Sequence, residues 1–502
     1  MSKETKIPKS TVITALVIVF GAMAPLLDST MMNIAINNLV KSFNSSVTTV
    51  QWTVTCYLLA TGVAVPFSSW LLNKFDGKTV FMAGEILFGI GSLLSALSPT
   101  IHALILARLV QGFAGGLIMP LLTTLLVQTA GTDVIGQMMA TVGLPMILGP
   151  LFGPIIGGII IKFASWRWLF WVNIPVVLIS IALIIWKMPH YPAQNKAAKM
   201  DFIGILLLIL SSSSIIYGMV RAAHTATFNN RTSLTFIIGG IGALVCYIIW
   251  AAIKKERAVL PLSLFTFRSF NGAGLGLFLA GTVLNGAMLL LPLYFQTIQK
   301  MSVLTAALSL LPQGLGMLLA RGLTGKLTDQ LGAKYVVLIS SLIAFVGTLP
   351  FYWFDKDTAY WLIGIVLFIR GIGAGGIMMP LMADAYTGMR ADQVPAATIG
   401  SRIIQNVGSA FGSALITTII SSYATTRAKT FATQLKHGDF HVAPAHIQSF
   451  AANHMLTIKT AAFQNGFLII SLTALALLIP TLLLTNKMNN KKPLNPKLKH
   501  NK

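Results

Sequence analysis

Long apolar runs constrain this chain more than any other feature of its sequence. Of its 502 residues, 55% are hydrophobic and 10% are charged, whereas soluble domains average about 25% charged residues. Because a spanning helix needs about 20 predominantly apolar residues, the sequence predicts an all-α integral membrane protein. About fourteen spanning helices are expected, near residues 12–34, 50–71, 80–98, 103–127, 136–161, 167–187, 202–221, 234–253, 271–297, 303–320, 334–353, 360–384, 396–420 and 463–485.

The charge is strongly basic, with 36 Lys and Arg against 13 Asp and Glu and a net charge of +23. In a soluble protein this balance would suggest nucleic acid as a partner. Here the basic residues lie mostly in the breaks between apolar runs and in both tails. This distribution indicates that they set the orientation of the chain in the membrane and attract anionic membrane lipid instead. An even number of helices places both termini on one side, and the positive-inside rule assigns that side to the cytoplasm of a multi-pass cell-membrane protein. The longest loop on the other side is expected near 421–460.

A glycine stripe occupies the fifth predicted helix, where residues 143–158 read GLPMILGPLFGPIIGG. On a helix, small residues at every fourth position let another backbone approach closely. Neighbouring prolines impose bends that a membrane helix tolerates. We interpret the stripe as a surface for packing and pivoting. Its members are Gly149, Gly153, Gly157 and Gly158, with Pro150 and Pro154 beside them.

A weak internal repeat relates the two halves of the chain. Arg108 followed by GGLIMP at 115–120 corresponds to Arg370 followed by GGIMMP at 375–380. Copies in the same orientation predict two parallel halves of about six helices each. Two helices, near 202–221 and 234–253, are then left over, and a spacer, a dimer contact and a contact for an accessory protein are all open as their role. The predicted domains are a first six-helix bundle at 1–190, a linker with the extra pair at 191–258, a second bundle at 259–486 and a basic cytoplasmic tail at 487–502.

Several further motifs carry a family resemblance. The glycine stripe is followed by SWRWLFWVNIP at 165–175, and LDST at 27–30 precedes Asn33. QW at 51–52 precedes Tyr57, and Arg108 precedes QG at 111–112. The second half adds LPLYFQ at 291–296 together with Arg402, Gln405, Gly408 and Gly412. This combination resembles the major facilitator superfamily, in particular its fourteen-spanner drug:proton antiporters, in which the stripe is motif C and the segment with Arg108 is motif B.

The resemblance implies a major facilitator fold of two six-helix bundles plus two extra central helices. It also implies a proton-coupled secondary active exporter of amphipathic drugs or toxic organic compounds, with alternating access between the bundles. The energy source would be the proton gradient, without a cofactor, and the partners would be protons, membrane lipid and a small amphipathic substrate; an accessory envelope protein is a further candidate partner. The glycine stripe would pack against the second bundle and seal the outward-closed state.

The superfamily's loop motif departs from its usual pattern in the first half. The segment SWLLNKFDGK at 69–78 has Asn73 where the motif carries Asp, so the charge-relay latch is in doubt there. The second copy, GKLTDQLGAK at 325–334, keeps the pattern better. We therefore expect a cytoplasmic gate that depends mainly on the second copy, through Gly325, Asp329, Gly332 and Lys334.

Ionisable residues inside predicted spans are the main functional candidates, because a charge in the hydrocarbon core costs several kcal/mol. Asp28 lies one turn after Pro25 in the first helix. A carboxyl in a low dielectric can bind and release a proton near neutral pH, and Asp28 can also attract a cationic drug, so that proton and drug would share one site. Arg108 keeps its charge when buried and needs acceptors, and the resemblance assigns it a role in proton transfer. The alternatives are a structural hydrogen bond for Asp28 and a fixed interhelical clamp for Arg108.

The other ionisable residues receive simpler interpretations. Glu85 is expected at the cytoplasmic rim or in a local ion pair, Arg370 and Arg402 are expected to be structural, and Asp384 is expected to form a cap or gate contact. The loop after the tenth helix is expected to hold the basic residues Arg321, Lys326 and Lys334.

Aromatic and amide side chains are expected to line a central cavity, where they offer stacking surfaces and hydrogen bonds to an amphipathic substrate. The candidates are Trp52, Tyr57, Gln111, Tyr294, Gln296 and Gln405. Methionines can add a pliable wall, although core packing is the simpler explanation for Met23, Met31, Met32 and Met288. The scattered histidines form no cluster with metal-ligand spacing, so no metal site is predicted.

Two other functions remain open. The first keeps the fold but exports a specific metabolite, peptide or lipid precursor. The second is a membrane scaffold without transport or a lipid-modifying enzyme. An enzyme is disfavoured because the sequence offers no nucleophile–base pair or metal constellation at membrane depth, and no Walker-type phosphate loop.

Overall fold

The computed structural model describes residues 8–130, 149, 152–153, 155–193, 200–390, 393–437 and 447–486. Within these ranges the chain is helical throughout, with turns and short helical segments between the long helices and no strand. The first half contains the helices α1 Lys9–Ser42, α2 Val47–Lys74, α3 Gly77–Ala96, α4 Ile101–Ala130, α5 at 155–163 and α6 Asn173–Lys187. The extra pair is α7 Phe202–Thr225 and α8 Arg231–Lys254.

The second half contains six long helices. They are α9 Arg268–Thr297, α10 Leu311–Leu331, α11 Ala333–Val346, α12 Tyr360–Gly375, α13 Val394–His437 and α14 Ile447–Ala476. The short helix Met378–Ala385 continues α12 after a break. Thirteen helices in the described ranges are long and apolar enough to span a membrane. They match thirteen of the predicted spans, and the remaining one, at 136–161, lies mostly outside the described residues.

The prediction of a loop at 421–460 is wrong. α13 is 44 residues long and α14 begins at Ile447, so both helices extend through most of that segment. At 1.5 Å per residue α13 measures about 66 Å, roughly twice the thickness of a hydrocarbon core of about 30 Å. The two projecting ends pack together, with Phe431 stacked on His454 at a centroid distance of 4.2 Å. Hydropathy alone missed this projection because a helix in water carries polar residues, as a loop does.

The two halves repeat the same packing. α2 packs closely on α4 in the first half, and α10 packs closely on α12 in the second. The glycines of the fifth helix face the first helix in both halves: Gly153 lies against Thr30 of α1, and Gly412 lies against Thr282 of α9. A small residue at these positions lets the two backbones approach.

The third helix of each half is also anchored in the same way. The Gly77 N–H at the start of α3 donates to the carbonyl of Tyr191, 2.9 Å away, just beyond α6. The Lys334 N–H at the start of α11 donates to the carbonyl of Thr485, 3.2 Å away, beyond α14. Each bundle is thus closed by a bond from its third helix to the segment after its sixth.

The extra pair lies between the two halves rather than apart from them. α7 and α8 pack on each other, and α7 also packs on α2 and α13. Trp52 of α2 stacks on Tyr217 at a centroid distance of 6.1 Å, and the Thr418 hydroxyl of α13 donates to the carbonyl of Ala222, 3.4 Å away. α7 therefore bridges one helix of each half.

Candidate functional site

A cavity of about 820 Å³ lies between the two halves. Its wall is formed by α1, α2 and α4 of the first half, by α9, α10, α12 and α13 of the second, and by α7. This volume is within the range of about 300–1,000 Å³ that is typical of small-molecule sites. The contribution of α7 consists of Ile216, Val220 and Ala223, so one of the two extra helices completes the cavity wall.

Asp28 and Arg108 form a buried ion pair beside this cavity. Their side chains are 2% and 1% exposed, and an Nη1–H of Arg108 donates to Asp28 Oδ2. Arg108 also donates from Nη1 to Gln111 Oε1 at 2.7 Å and from Nε to the carbonyl of Thr53 at 3.2 Å. Buried charges are tolerated when they are paired and hydrogen-bonded in this way.

Two further polar side chains hold the Asp28 carboxylate, and a third, Ser92, bonds to both of them. Gln111 Nε2 and Asn173 Nδ2 donate to Asp28 Oδ1 over 3.1 and 3.2 Å, and both also donate to Ser92 Oγ. The network therefore joins α1, α3, α4 and α6. Sequence reasoning missed Ser92 entirely, and it placed Asn173 in a signature motif without a role.

Tyr57 separates the ion pair from the cavity. Arg108 Cζ lies 4.2 Å from the centroid of the Tyr57 ring, and Tyr57 belongs to the cavity wall. Asp28, Arg108 and Gln111 are not among the described residues that line it. The carboxylate is thus paired with Arg108 one layer behind the wall, and the expectation that a cationic drug and a proton share one site on Asp28 stays a prediction.

The charged residues in the described part of the cavity wall are three arginines. Arg321, Arg370 and Arg402 line it from α10, α12 and α13, and each is less than 10% exposed. Arg321 was expected in a cytoplasmic loop and lies instead within α10, ten residues after the start of the helix. Arg370 and Arg402 were expected to be structural, yet both face the space between the halves.

Comparison with known proteins identifies the family to which this architecture belongs. The sequence profile described as Major Facilitator Superfamily matches residues 18–413. The chain belongs to the major facilitator superfamily. Over 411 residues, it is 32% identical to a protein of Mycobacterium tuberculosis named multidrug resistance protein B homolog, covering 81% of this chain and 76% of that protein.

Other relatives of this transporter carry similar names. The lincomycin resistance protein LmrB of Listeria monocytogenes is 27% identical over 443 residues, covering 88% of this chain and 90% of LmrB. The putative multidrug resistance protein MdtD of Cronobacter sakazakii is 29% identical over 359 residues, covering 71% of this chain and 75% of MdtD. The transporter thus belongs among major facilitators whose relatives are named for multidrug efflux, and not among enzymes.

Solved structures support the same fold. The human organic anion transporter MFSD10 superposes with a TM-score of 0.62 at 13% identity, covering 95% of this chain and all of that one. The proton:xylose symporter XylE superposes with a TM-score of 0.59 at 14% identity, covering 93% of this chain and 96% of that one. The predicted major facilitator fold is confirmed.

The glycine stripe of this transporter packs mainly within its own bundle. Gly149 lies against Leu26 of α1, Gly153 against Thr30 and Gly157 against Met31. Only Gly158, among the described glycines of the stripe, approaches the second half, with Leu304 3.8 Å from a Cβ built at that position. The expected packing against the second bundle is therefore wrong for these three glycines; Pro150 and Pro154 lie outside the described residues. The stripe fixes the turns of α1 that flank Asp28.

Glu85 is placed differently from its prediction. It is fully buried in α3, where its carboxylate lies near Gly21 of α1 and Ser180 of α6. It therefore lies neither at the rim nor in an ion pair. Asp384 is also buried and accepts hydrogen bonds from the N–H and the hydroxyl of Thr485, as a gate or cap contact would.

The predicted substrate-binding residues are only partly brought together. Tyr57 and Gln405 line the cavity, and Gln405 accepts a hydrogen bond from Arg402 at 3.2 Å. Tyr294 is 1% exposed and donates to the carbonyl of Asp355 within an aromatic cluster. Trp52 faces Tyr217, and Trp52, Tyr294 and Gln296 are all absent from the described cavity wall.

Methionines form a larger share of the wall than the sequence suggested. Met288 was one of the candidates and does line the cavity, whereas Met23, Met31 and Met32 are not among the described lining residues. The methionines of the described wall are Met119, Met288, Met317, Met378 and Met379. Since thioether side chains adapt their shape to a ligand, this wall suits substrates of varied outline.

The two loop motifs make different contacts. In the first half, Asp76 caps α3 by accepting from the Thr79 N–H at 3.1 Å and also accepts from the Tyr191 N–H at 2.8 Å. Burial acts to raise the pKa of Asp76, but these hydrogen bonds, with those from the Thr79 hydroxyl and His190, outweigh it and lower the pKa below its ordinary value. These hydrogen bonds, which we call the Asp76 latch, tie the start of α3 to the segment after α6; the charge relay of the loop motif stays a prediction.

The second copy of the motif ends α10 and begins α11. Gly325 is buried within α10, and Asp329 lies one turn further along the same helix. Gly332 adopts a φ of 85°, a left-handed conformation that favours glycine, and the following residues turn into α11. Lys334 then makes its backbone bond to Thr485. Both copies thus contact the end of their own bundle, so the expectation that one copy dominates stays a prediction.

Proposed function

We propose that this transporter exports amphipathic organic compounds in exchange for protons that enter the cell. The observation that carries the proposal is the Asp28–Arg108 pair, buried in the first bundle and separated from the central cavity by one aromatic ring. A buried carboxylate beside the cavity can exchange its partner Arg108 for a proton as the protein changes conformation. The names of the relatives support the choice of amphipathic drugs as substrates.

Proton binding at Asp28 changes the charges and hydrogen bonds around the carboxyl group. When a proton adds to a carboxylate oxygen, Asp28 loses its charge and the ion pair with Arg108 is lost. The guanidinium keeps its charge and retains Gln111 and the carbonyl of Thr53 as acceptors. Arg108 then favours a position nearer a new acceptor, and Tyr57, which contacts it, transmits that shift to the cavity wall. The proton gradient supplies the energy, and no cofactor is part of this cycle.

The proposed setting is the cell membrane with both termini in the cytoplasm. The basic tails and alternate basic loops of the sequence support that orientation, and they also favour anionic lipid near the cytoplasmic surface. In this orientation, the contacts between the end of α4 and the start of α13 close the cytoplasmic side. They include the Thr124 hydroxyl, 3.4 Å from that of Thr398. An accessory envelope protein is not required by this arrangement.

The test uses purified transporter in liposomes with an imposed pH gradient and the uncharged amphipathic dye N-phenyl-1-naphthylamine. Wild type is compared with Asp28→Asn, and with Asp357→Asn as a control because Asp357 is a carboxylate with 77% of its side chain exposed. We expect gradient-driven dye transport to fall about tenfold or more in Asp28→Asn and to be unchanged in the control. Unchanged transport in Asp28→Asn would remove Asp28 from coupling, and transport by wild type that ignores the gradient would contradict proton exchange.

A further inference from the structure

The cavity wall carries positive charge without a compensating acid. Arg321, Arg370 and Arg402 are its only charged residues among those described, and no Asp or Glu in the described ranges lines it. Guanidinium groups stay protonated in proteins. Each of the three is at most 8% exposed, so water alone does not solvate their charge as it would at a surface.

The hydrogen-bond partners of these arginines are all neutral. Arg370 Nη1 donates to Gln313 Oε1 at 2.6 Å. Arg402 donates to Thr123 Oγ1 at 2.8 Å and to Gln405 Oε1 at 3.2 Å. The Nε and Nη1 of Arg321 and the Nε of Arg402 are buried and have no acceptor in the described part of the chain. Donors left in this state are costly and attract an acceptor from outside the protein.

Arg108 shows how the same chain neutralises another buried arginine. Arg108 lies in α4 of the first half and is paired with Asp28. The salt bridges among the described residues include none to Arg321, Arg370 or Arg402. The cavity arginines therefore lack, among the described residues, an acid of the kind that Arg108 has.

The arginines are spread along the cavity rather than gathered at one point. Gln313, which binds Arg370, lies eight residues before Arg321 on α10, a rise of about 12 Å along the helix axis. The five methionines of the wall lie on the same helices and on α4 and α9. A ligand that fills the space thus meets cationic groups at two depths and an adaptable apolar surface between them.

We infer that the cavity binds an amphipathic organic anion, a carboxylate or phosphate carried on an apolar body. A guanidinium pairs with either group through two parallel hydrogen bonds, which would use the free donors of Arg321 and Arg402. A cationic amphipath would instead meet three like charges without a carboxylate to receive it. The inference rests on the proposed function, in that the cavity is taken as the substrate site.

The same anionic chemistry has two sources: a free organic solute and the headgroup of an anionic lipid. Both would place a negative group at the arginines and an apolar chain against the methionines. They differ in whether the ligand comes from water or from the bilayer, so a binding experiment in membranes of defined composition separates them.

The experiment measures equilibrium binding to the full-length transporter in phosphatidylcholine nanodiscs, without a pH gradient. The probes are dansyl-labelled undecanoate, its uncharged primary amide and its trimethylammonium analogue. We expect the carboxylate to bind about tenfold or more tightly than the amide, and the cation to bind most weakly. Equal binding of carboxylate and amide, or tighter binding of the cation, would overturn the inference without any variant being made.

Substitutions of the cavity arginines test where the anionic group binds. Arg321→Gln and Arg402→Gln are each expected to reduce the preference for carboxylate over amide to about twofold or less, while the affinity for the amide stays the same. Arg257→Gln is the matched control, because Arg257 follows α8 on the exposed surface. A preference that survives in both cavity variants would place the anion elsewhere and overturn the assignment. Arg402→Lys, which keeps the charge, should retain part of the preference.

The lipid arm repeats the titration with phosphatidylglycerol in the nanodiscs. Competition by this lipid would support the anion site and identify a lipid headgroup as its occupant, whereas an unchanged carboxylate affinity would support a free solute. Since no gradient is used, a failure of proton coupling leaves these results standing. Conversely, a failure of anion binding leaves the coupling role of Asp28 untouched.

Discussion

Arg108 lies against the face of Tyr57, with 4.2 Å between the guanidinium carbon and the ring centroid. Tyr57 is also one of the residues that line the cavity. The same side chain therefore contacts the buried pair and borders the space that a substrate would occupy. The contact also adds a cation–π attraction, which is worth about 2 kcal/mol or more where the cation is desolvated.

Removing this ring should open a path between the cavity and the ion pair. In Tyr57→Ala, water reaches Asp28 and Arg108, so the passive proton leak of transporter liposomes should rise about fivefold or more. Tyr57→Phe keeps the ring and serves as the control with a normal leak. The leak is measured with an entrapped pH-sensitive dye after a pH jump. If Tyr57→Ala leaks protons no faster than wild type, another group provides the seal.

The buried ion pair predicts that Asp28→Asn alone destabilises the protein more than Asp28→Asn combined with Arg108→Gln. Asp28→Asn leaves Arg108 buried without its carboxylate and should lower the free energy of unfolding by about 3–5 kcal/mol. Adding Arg108→Gln removes the unpaired charge and should recover most of that loss, although proton-driven transport stays absent. Unfolding in mixed micelles with a denaturing detergent measures the change. If the double variant is less stable than Asp28→Asn, the loss does not arise from an uncompensated charge.

The glycine stripe predicts a local effect on α1. In Gly153→Leu, the new Cβ would collide with the Thr30 hydroxyl and lie 3.2 Å from the carbonyl of Leu27. The variant should insert into the membrane but lose transport, because α1 is displaced on both sides of Asp28. Gly239→Leu is the control, since no atom lies within 4 Å of a Cβ at Gly239. Full activity in Gly153→Leu, measured by dye transport, would contradict close packing of α5 on α1.

The Asp76 latch predicts a dependence of stability on pH. The pKa of Asp76 is lower in the folded state, so its contribution is complete above the unfolded pKa of about 3.9 and disappears as the pH falls through the folded value. Asp76→Ala should cost about 1 kcal/mol at neutral pH, as for other helix caps, and less as the pH approaches 3. Melting temperatures of both proteins across this range provide the test. A difference that is constant with pH would rule out the ionised carboxylate as its origin.

The sequence was most informative where the signal is local. Apolar runs located thirteen described spans because the hydrocarbon core offers no water to the backbone, whose N–H and C=O groups must then bond to each other within a helix. Asp28 and Arg108 could be singled out because charges are rare at membrane depth. That they contact each other was beyond the sequence, since α1 and α4 meet only in the folded bundle.

The errors have physical reasons as well. Arg321 was assigned to a loop because the predicted span ended at residue 320, although the helix continues to Leu331. The resemblance assigned the stripe to the bundle interface, and the sequence could not correct this assignment because the spacing of the glycines specifies a face of the helix but not the helix that covers it. Glu85 was placed at the rim because an unpaired buried carboxyl is unfavourable, and a sequence contains no measure of how far α1 and α6 enclose it.

α13 is continuous from the cavity to the end of its projection. Arg402 contacts Thr123 of the opposite half near one end, and His437 marks the other. The 35 residues between them span about 52 Å, so a tilt of about 10° at the cavity would move the far end by about 9 Å. A small tilt of α13 at the cavity therefore becomes a large displacement at the projecting end. A fluorophore there would report the movement of the bundles at a distance from the substrate and without disturbing it.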